Sequence, residues 1–240
     1  MTVEEIRREL TQRSTVAVVD RTTQRADPSH VHTLAMFSVA TIHEALGRTG
    51  LMEPRLRPVF RGVRIAGTAL TCEVAPGDNS SIHIAGDVAQ PGDLLVVTPT
   101  SACDDGYFGE LLATHMVARG VVAVVIDAGV RDVTDLTNMS FPVWSSAISA
   151  RGTVKETPGN VQVPIVCAGV AVSPGDIVIA DDDGVVVVAR EDALDVIVEC
   201  RVREAKENVH RKLLVSGEGT LDLFGLRQKF LDAGLRDIAD

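Results

Sequence analysis

Apolar residues recur along this chain at two periods, and the two periods sort it into strands and helices. Val63 to Val74, Leu94 to Thr98, Val121 to Ile126, Val163 to Val172, Ile177 to Ala180 and Val185 to Val188 are short runs rich in Val, Ile, Leu and Ala, the pattern of strands. Val121 to Ile126 is apolar without interruption, as expected of a strand covered on both faces. Thr15 to Asp20 is a further short run of this kind. Helices are marked by the longer period. Thr2 with Glu5 forms a capping box that starts one near residue 3. Residues 35 to 47 carry helical spacing with a stop at Gly47, and Ser80 to Val88 make a short helix. From Glu191 to Leu214, the side chains of Leu194, Ile197, Val198, Val202, Ala205, Val209 and Leu213 fall within about 160° of arc on one long helix. Glu207 lies opposite that stripe, which predicts that it faces away from the chain's own core.

Turn chemistry punctuates these runs. Pro-Gly-Asp occurs three times, at residues 76, 91 and 174, and the second and third copies stand directly before strand-like runs. Proline fixes its φ and glycine accepts positive φ, so each copy reads as a turn. Asp181-Asp182-Asp183-Gly184 joins two Val/Ile runs and predicts a hairpin; it lacks the spaced ligands of a calcium loop. No linker or low-complexity tract divides the chain. The expectation is one α/β structural domain, a main part over residues 1–190 with its N-terminal helix, and a helical extension over 191–240 that packs on a neighbouring subunit.

Composition narrows the partners. The 240 residues are 45% hydrophobic but only 3% aromatic, so the core is aliphatic. The formal net charge of -10 argues against nucleic acid, whose binding needs clustered Lys and Arg, and no basic run could find an anionic membrane. The charged N-terminus lacks the apolar stretch of a signal peptide, and the longest uncharged stretch, residues 157 to 175, is broken by three prolines. A cytoplasmic protein without a membrane span is expected. Cys72, Cys103, Cys167 and Cys200 have no metal-ligand spacing and read as reduced thiols. His30 and His32 form a His-x-His without a third nearby ligand, which makes zinc improbable.

Candidate chemistry concentrates between Gly109 and Asp132. A helix over 109–119 advances about 15 Å, and a strand over 121–127 returns about 20 Å, so the helix start should meet the loop after the strand. That would bring Glu110 close to Arg131 and Asp132. The first helical turn leaves the N–H groups of Leu111 and Leu112 unpaired, a seat for a carboxylate. Arg131 supplies a planar cation for a carboxylate or a forming oxyanion. Asp132 and Glu110 are hard oxygen ligands suited to Mg2+ or Mn2+ held partly through water. Together they suit a metal chelating a 2-oxo acid; the other reading is an Arg–Asp pair bracing a loop, with Glu110 serving the helix dipole. Asn79 and Ser80 either cap the helix that follows them or line the pocket.

Several longer stretches resemble a known family: Ala75-Pro-Gly-Asp-Asn79, Gly106-Tyr-Phe-Gly-Glu-Leu-Leu-Ala-Thr114, Val125-Ile-Asp-Ala-Gly-Val-Arg-Asp-Val133, Ala147-Ile-Ser-Ala-Arg-Gly-Thr-Val154, Pro174 to Val188 and Arg203-Glu-Ala-Lys-Glu207. From about residue 30 onward the chain looks like the class II pyruvate aldolases. These cleave 4-hydroxy-4-methyl-2-oxoglutarate and 4-carboxy-4-hydroxy-2-oxoadipate, and they sit in the superfamily of the regulator of ribonuclease E activity A. The resemblance implies a layered α-β-β-α domain of the ribonuclease-regulator-like (swivelling β/α/β) type with a long C-terminal helix. It also implies a homotrimer or homohexamer, and a place in aromatic-compound catabolism such as protocatechuate degradation.

The family signature is an acid, twenty residues, then Arg-Asp, and it falls on Glu110, Arg131 and Asp132. By resemblance Asp132 ligates the metal and Arg131 contacts the substrate and its enolate. The amides of Leu111 and Leu112, following Gly109, receive the pyruvyl carboxylate, and Glu207 enters the site of a neighbouring subunit near the metal. Members commonly carry Asp where Glu110 stands, so this chain departs by one methylene. The implied reaction is retro-aldol cleavage to pyruvate plus oxaloacetate or a second pyruvate, with oxaloacetate decarboxylation as a side activity. Water on the metal, relayed by Glu110, is the first choice of base; no Lys sits in the constellation for a Schiff base. The competing class is a non-catalytic regulator that binds a ribonuclease or helicase. A methyltransferase is disfavoured by the lack of a glycine-rich nucleotide loop.

Overall fold

The computed structural model describes residues 17–236. The helix expected near residue 3 lies outside the described residues. Two compact units are present, one ending at Ile197 and the other beginning at Val198.

The first unit is a mixed α/β structure around a curled eight-stranded sheet. Its strands are β1 (Arg57–Pro58), β2 (Ile65–Val74), β3 (Asp93–Pro99), β4 (Gly106–Phe108), β5 (Ala123–Val130), β6 (Val143–Ile148), β9 (Ile177–Ala180) and β10 (Val185–Val188). They lie in the order β1-β6-β5-β3-β2-β9-β10, with β4 added beside β5. Strands β2, β3, β5 and β6 run parallel, and β9 turns the sheet antiparallel against β2. Parallel neighbours need crossovers, and three short helices supply them: α3 (Ser80–Val88), α4 (Glu110–Ala118) and α5 (Val133–Asn138).

Alternation along the strands explains the two cores. In β3, Leu95 and Val97 pack with Ile82, Ala113 and Met116 of the helices, while Leu94 and Val96 point to the other face, against Trp144, Ile165 and Val178. Every residue from Ala123 to Ile126 is buried, as a strand covered on both faces requires. Each of these side chains contributes about 1.5–3 kcal/mol by leaving water, so the central strands carry most of the stability.

Several boundaries differ from the pattern along the chain. The segment 35–47 is not one helix. Helix α1 (Pro28–Leu34) precedes it, α2 spans Val39–Ala45, and Ser38 separates them because its side chain accepts the Thr41 N–H as an N-cap. Val163 to Val172 is a hairpin of β7 (Ile165–Cys167) and β8 (Val170–Val172), reversing at Ala168 and Gly169, both at positive φ. The Thr15–Asp20 run contributes only an isolated bridge from Val19 to Val161 within the described residues. The acidic triplet is a turn: Asp181 accepts the N–H groups of Val39 and Asp183, and Asp182 accepts that of Gly62.

Helix α6 (Ala193–Val215) begins in the first unit and continues in the second, where α7 (Thr220–Leu223) and α8 (Leu226–Asp232) follow it. Here the apolar stripe does not face a core of this chain. Leu194, Val198, Val202, Val209 and Leu213 of the apolar stripe are exposed. Glu207 is instead half-buried and pairs with Arg203 at 2.9 Å, and His210, one turn on, meets the Phe224 ring edge-on at 5.2 Å. Periodicity marks an apolar face correctly but does not say what covers it.

Candidate active site

The start of α4 and the loop that follows β5 build the site. Strand β5 ends at Val130, and the Arg131 N–H donates to the Phe108 carbonyl at 2.9 Å, locking the end of β4 against the end of β5. Two residues beyond Phe108, α4 starts. Its Glu110 N–H donates to Asp132 Oδ2 at 3.1 Å, so the helix start and the post-strand loop do meet. Gly109 makes the approach possible: a Cβ there would stand 2.3 Å from Asp132 Oδ2 and 3.0 Å from Arg131 Cγ. Its φ of -158° is ordinary extended backbone, so the requirement is space, not torsion.

Asp132 is held unusually. It occupies the N-cap position of α5 at φ 57° and ψ 38°, in the left-handed region, and makes no capping bond to that helix. Its carboxylate is spent on the neighbouring helix instead, with Arg131 Nε 3.7 Å from Oδ2. A non-glycine residue in this conformation costs free energy, and such residues cluster where the side chain's direction matters.

The Leu111 and Leu112 N–H groups donate to none of the described residues. Leu111 is 79% exposed and Leu112 is packed in the core, so the first turn presents its amides at the surface while anchored from below. A depression of about 490 Å³ opens beside Arg131 and Asp132, walled by Ile148, Ser149 and Ala150. A half-exposed arginine and a carboxylate at this depression, with the open helix amides tied to it through the Glu110 N–H to Asp132 bond, are equipped to orient an anionic substrate and to receive developing negative charge.

Glu110 reaches Asp132 through its backbone rather than its carboxylate. Its Oε1 accepts the Thr114 hydroxyl at 2.9 Å, one turn along the same helix. Asp132 Oδ1 and Glu110 Oε2 have no partner among the described residues. Among the described residues no three His, Cys, Asp or Glu side chains stand together as a metal-binding group, and Glu207 belongs to the second unit. Two hard oxygen donors fit a Mg2+- or Mn2+-like ion that keeps several waters or takes a further ligand from outside the chain.

A supporting layer went unnoticed in the sequence. The Gly77 N–H donates to the Tyr107 hydroxyl at 2.6 Å, and Asn79 Nδ2 donates to the Tyr107 carbonyl at 2.9 Å. Asp78 Oδ1 accepts the Ser80 N–H and hydroxyl, and its Oδ2 accepts the N–H groups of Glu156 and Thr157 at 2.7 Å each. Burial alone would push the Asp78 carboxyl up, but these bonds outweigh it and hold the pKa at about 2. The first Pro-Gly-Asp copy therefore braces β4 from behind. Its one distinguishing signal is that a helix, not a strand, follows it. Asn79 stands at the helix N-cap without capping it; Asp78 takes that role for Ser80.

Other candidates are structural. Burial raises the thiols of Cys72, Cys167 and Cys200, which leaves them poor nucleophiles. His30 and His32 lie in α1 outside any metal group among the described residues.

A family model described as "RraA-like: Aldolase/RraA" matches residues 39–187, the segment that contains β1 to β9, all but the last residue of β10, and the whole Glu110–Asp132 arrangement. The chain belongs to the RraA-like family. A protein of Halalkalibacterium halodurans named "Putative 4-hydroxy-4-methyl-2-oxoglutarate aldolase" is 27% identical over 173 residues, covering 72% of this chain and 82% of that protein. A Burkholderia multivorans protein of the same name is 31% identical over 160 residues, 65% of this chain and 97% of its own length. Among solved structures, Streptomyces coelicolor RraAS2, described as an unusual member of the RNase ES inhibitor RraA protein family, superposes with a TM-score of 0.71 at 27% identity. It covers 78% of this chain and 98% of its own. This RraA-like fold is shared by relatives of both kinds, so fold alone does not separate enzyme from regulator. Among the described residues no helix is long and apolar enough to cross a membrane.

Proposed function

We propose that this RraA-like protein is a carbon–carbon lyase that releases pyruvate from 4-hydroxy-2-oxo acids. The candidates are 4-hydroxy-4-methyl-2-oxoglutarate and 4-carboxy-4-hydroxy-2-oxoadipate, with oxaloacetate decarboxylation as a side activity. The observation that carries the reading is the Glu110 N–H to Asp132 contact, which joins the start of α4, with its open Leu111 and Leu112 amides, to the depression beside Arg131 and Asp132. The aldolase names of the two relatives agree with it.

In this reading the Leu111 and Leu112 N–H groups hold the 1-carboxylate at the positive end of α4. Arg131 sits beside the 2-oxo oxygen and receives the negative charge that gathers there as the C3–C4 bond breaks. Glu110, with Oε2 open, takes the proton of the C4 hydroxyl through water. A Mg2+ or Mn2+ ion, held by Asp132 with Glu110 and, from a neighbouring subunit, Glu207, would supply Lewis-acid polarisation of the keto group. The site is then shared in a homotrimer or homohexamer. The exposed apolar stripe of α6, from Leu194 to Leu213, supports such assembly because a monomer gains nothing by leaving it in water.

The test is pyruvate release coupled to lactate dehydrogenase, with each 4-hydroxy acid and with oxaloacetate, in Mg2+ and in EDTA. Turnover that disappears with EDTA and in Arg131→Ala supports the lyase. Lack of turnover together with capture of a purified ribonuclease would favour the regulator reading, which the RraAS2 likeness keeps in play.

A further inference from the structure

Away from Glu110, at the opposite end of α4, a second cavity of about 270 Å³ lies between the C-termini of α3 and α4 and the segment around Arg21. Nine residues of helix separate it from the Glu110 end, about 13 Å along the axis. Its lining is polar and comes from four parts of the chain: Arg21, Arg25, Asp87, Gln90, Arg119 and Gln162.

Gln162 is the feature that ordinary packing does not explain. It is only 3% exposed, yet its backbone sits in the left-handed region at φ 61°. Its Oε1 is buried without a hydrogen-bond partner, and its Nε2 donates to none of the described residues. The backbone is held from both sides: the Gln162 N–H donates to the Thr71 carbonyl at 2.8 Å, and neighbouring Val161 is bonded through both its N–H and its carbonyl to Val18 and Asp20. A buried amide with an orphaned oxygen and a disfavoured backbone each cost free energy, and together they mark a position kept for what its side chain meets.

The arginines divide into used and unused donors. Arg25 is committed, with Nε and Nη2 on Asp93 at 3.1 and 2.9 Å and Nη2 also on the Val88 carbonyl. Arg119 spends Nη2 on the Asp87 carbonyl at 3.0 Å and keeps its other N–H groups. Arg21 has no hydrogen bond or ion pair with the described residues. Of the nearby acids, Asp20 is occupied by the Thr22 N–H and hydroxyl at 2.7 Å, and Asp93 by Arg25. The unspent donors are Arg21, the remainder of Arg119 and Gln162 Nε2; the unspent acceptors are the Asp87 carboxylate and Gln162 Oε1, so two cations with free N–H groups face one free acid.

We propose that this cavity is a second binding site, separate from the Glu110–Asp132 site, which takes a small oxyanion through Arg21, Arg119 and the Nε2 of Gln162. Carboxylate and phosphate share the required chemistry, a compact anion with several acceptor oxygens. The cavity is too small for a nucleotide but admits a phosphate or a three- to four-carbon acid.

The experiment is calorimetric titration of the full chain with inorganic phosphate and, separately, with malonate, at fixed ionic strength. Wild type is expected to bind at least one of the two, and the preferred probe tells phosphate from carboxylate. Arg21→Ala should weaken that binding about tenfold, the loss of one charge-assisted contact, while leaving pyruvate release in the absence of anion unchanged. Gln162→Gly relieves the left-handed backbone and removes the amide, so it should melt no lower than wild type and yet bind the anion more weakly. Arg131→Ala should bind it as wild type does. Failure of both probes to bind wild type, or equal binding by wild type, Arg21→Ala and Gln162→Gly, overturns the proposal. Neither result bears on the lyase reading.

Discussion

Replacing Asp132 in turn by glycine and by alanine separates its backbone from its carboxylate. At φ 57° and ψ 38°, a residue with a Cβ pays about 1–2 kcal/mol relative to glycine. Either substitution also removes the 3.1 Å bond from the Glu110 N–H, a contact of a half-exposed carboxylate that contributes about 1 kcal/mol. The ion pair with Arg131, at 3.7 Å and half in solvent, adds little. Alanine therefore loses the bond and keeps the strain, destabilising by about 1–2 kcal/mol. Glycine loses the bond, sheds the strain and gives back about 0.5–1 kcal/mol through its more disordered unfolded state, so it ends within about 1 kcal/mol of wild type. Urea unfolding of the three proteins should rank glycine above alanine by about 1 kcal/mol, or roughly 2–4 °C in melting temperature for a chain of this size. Pyruvate release should fall at least about hundredfold in both. An alanine variant as stable as the glycine variant would refute the argument from backbone conformation. Near-native turnover by the glycine variant would refute the role given to the carboxylate.

Three further outcomes are expected. Gly109→Ala places a methyl group against Asp132 Oδ2, and should cut turnover more than tenfold while the unfolding free energy falls by no more than about 2 kcal/mol, measured by the same two assays. Asp78→Asn cannot accept from Glu156 and Thr157 as the carboxylate does and should cost about 2 kcal/mol at neutral pH. Because the folded pKa of Asp78 is depressed to about 2, its contribution is present above the ordinary carboxylate pKa and is lost as pH falls toward 2. The gap between wild type and Asp78→Asn should therefore narrow over that interval in acid unfolding curves. Mixed oligomers of Arg131→Ala and Glu207→Ala chains should recover activity that neither parent has, since an intact site would draw Arg131 from one chain and Glu207 from the other; no recovery after subunit exchange would argue against sharing.

Sequence alone determined the elements whose period is set by their own burial. Ser80–Val88, the all-apolar start of β5 up to Ile126 and the β9–β10 hairpin are legible because a strand segment covered on both faces has no choice but Val, Ile and Ala, and a turn at Asp181 to Gly184 needs its own chemistry. The arithmetic of a helix out and a strand back was also sufficient to bring residue 110 to residue 132, because rise per residue does not depend on neighbours. What it did not decide was which atom of Glu110 arrives. Only the fold shows the backbone N–H facing Asp132 and the carboxylate turned toward Thr114, a choice made by rotamers and by the space Gly109 leaves. Likewise the apolar stripe of α6 was visible in the residues, but its exposure was not, since hydrophobic periodicity says that a face prefers to be covered and is silent on whether this chain or another covers it. The bracing of Tyr107 by Gly77 and Asn79, and the strained Gln162, lie further beyond reach. They join residues roughly 30 to 90 positions apart through single polar contacts that leave no period in the sequence.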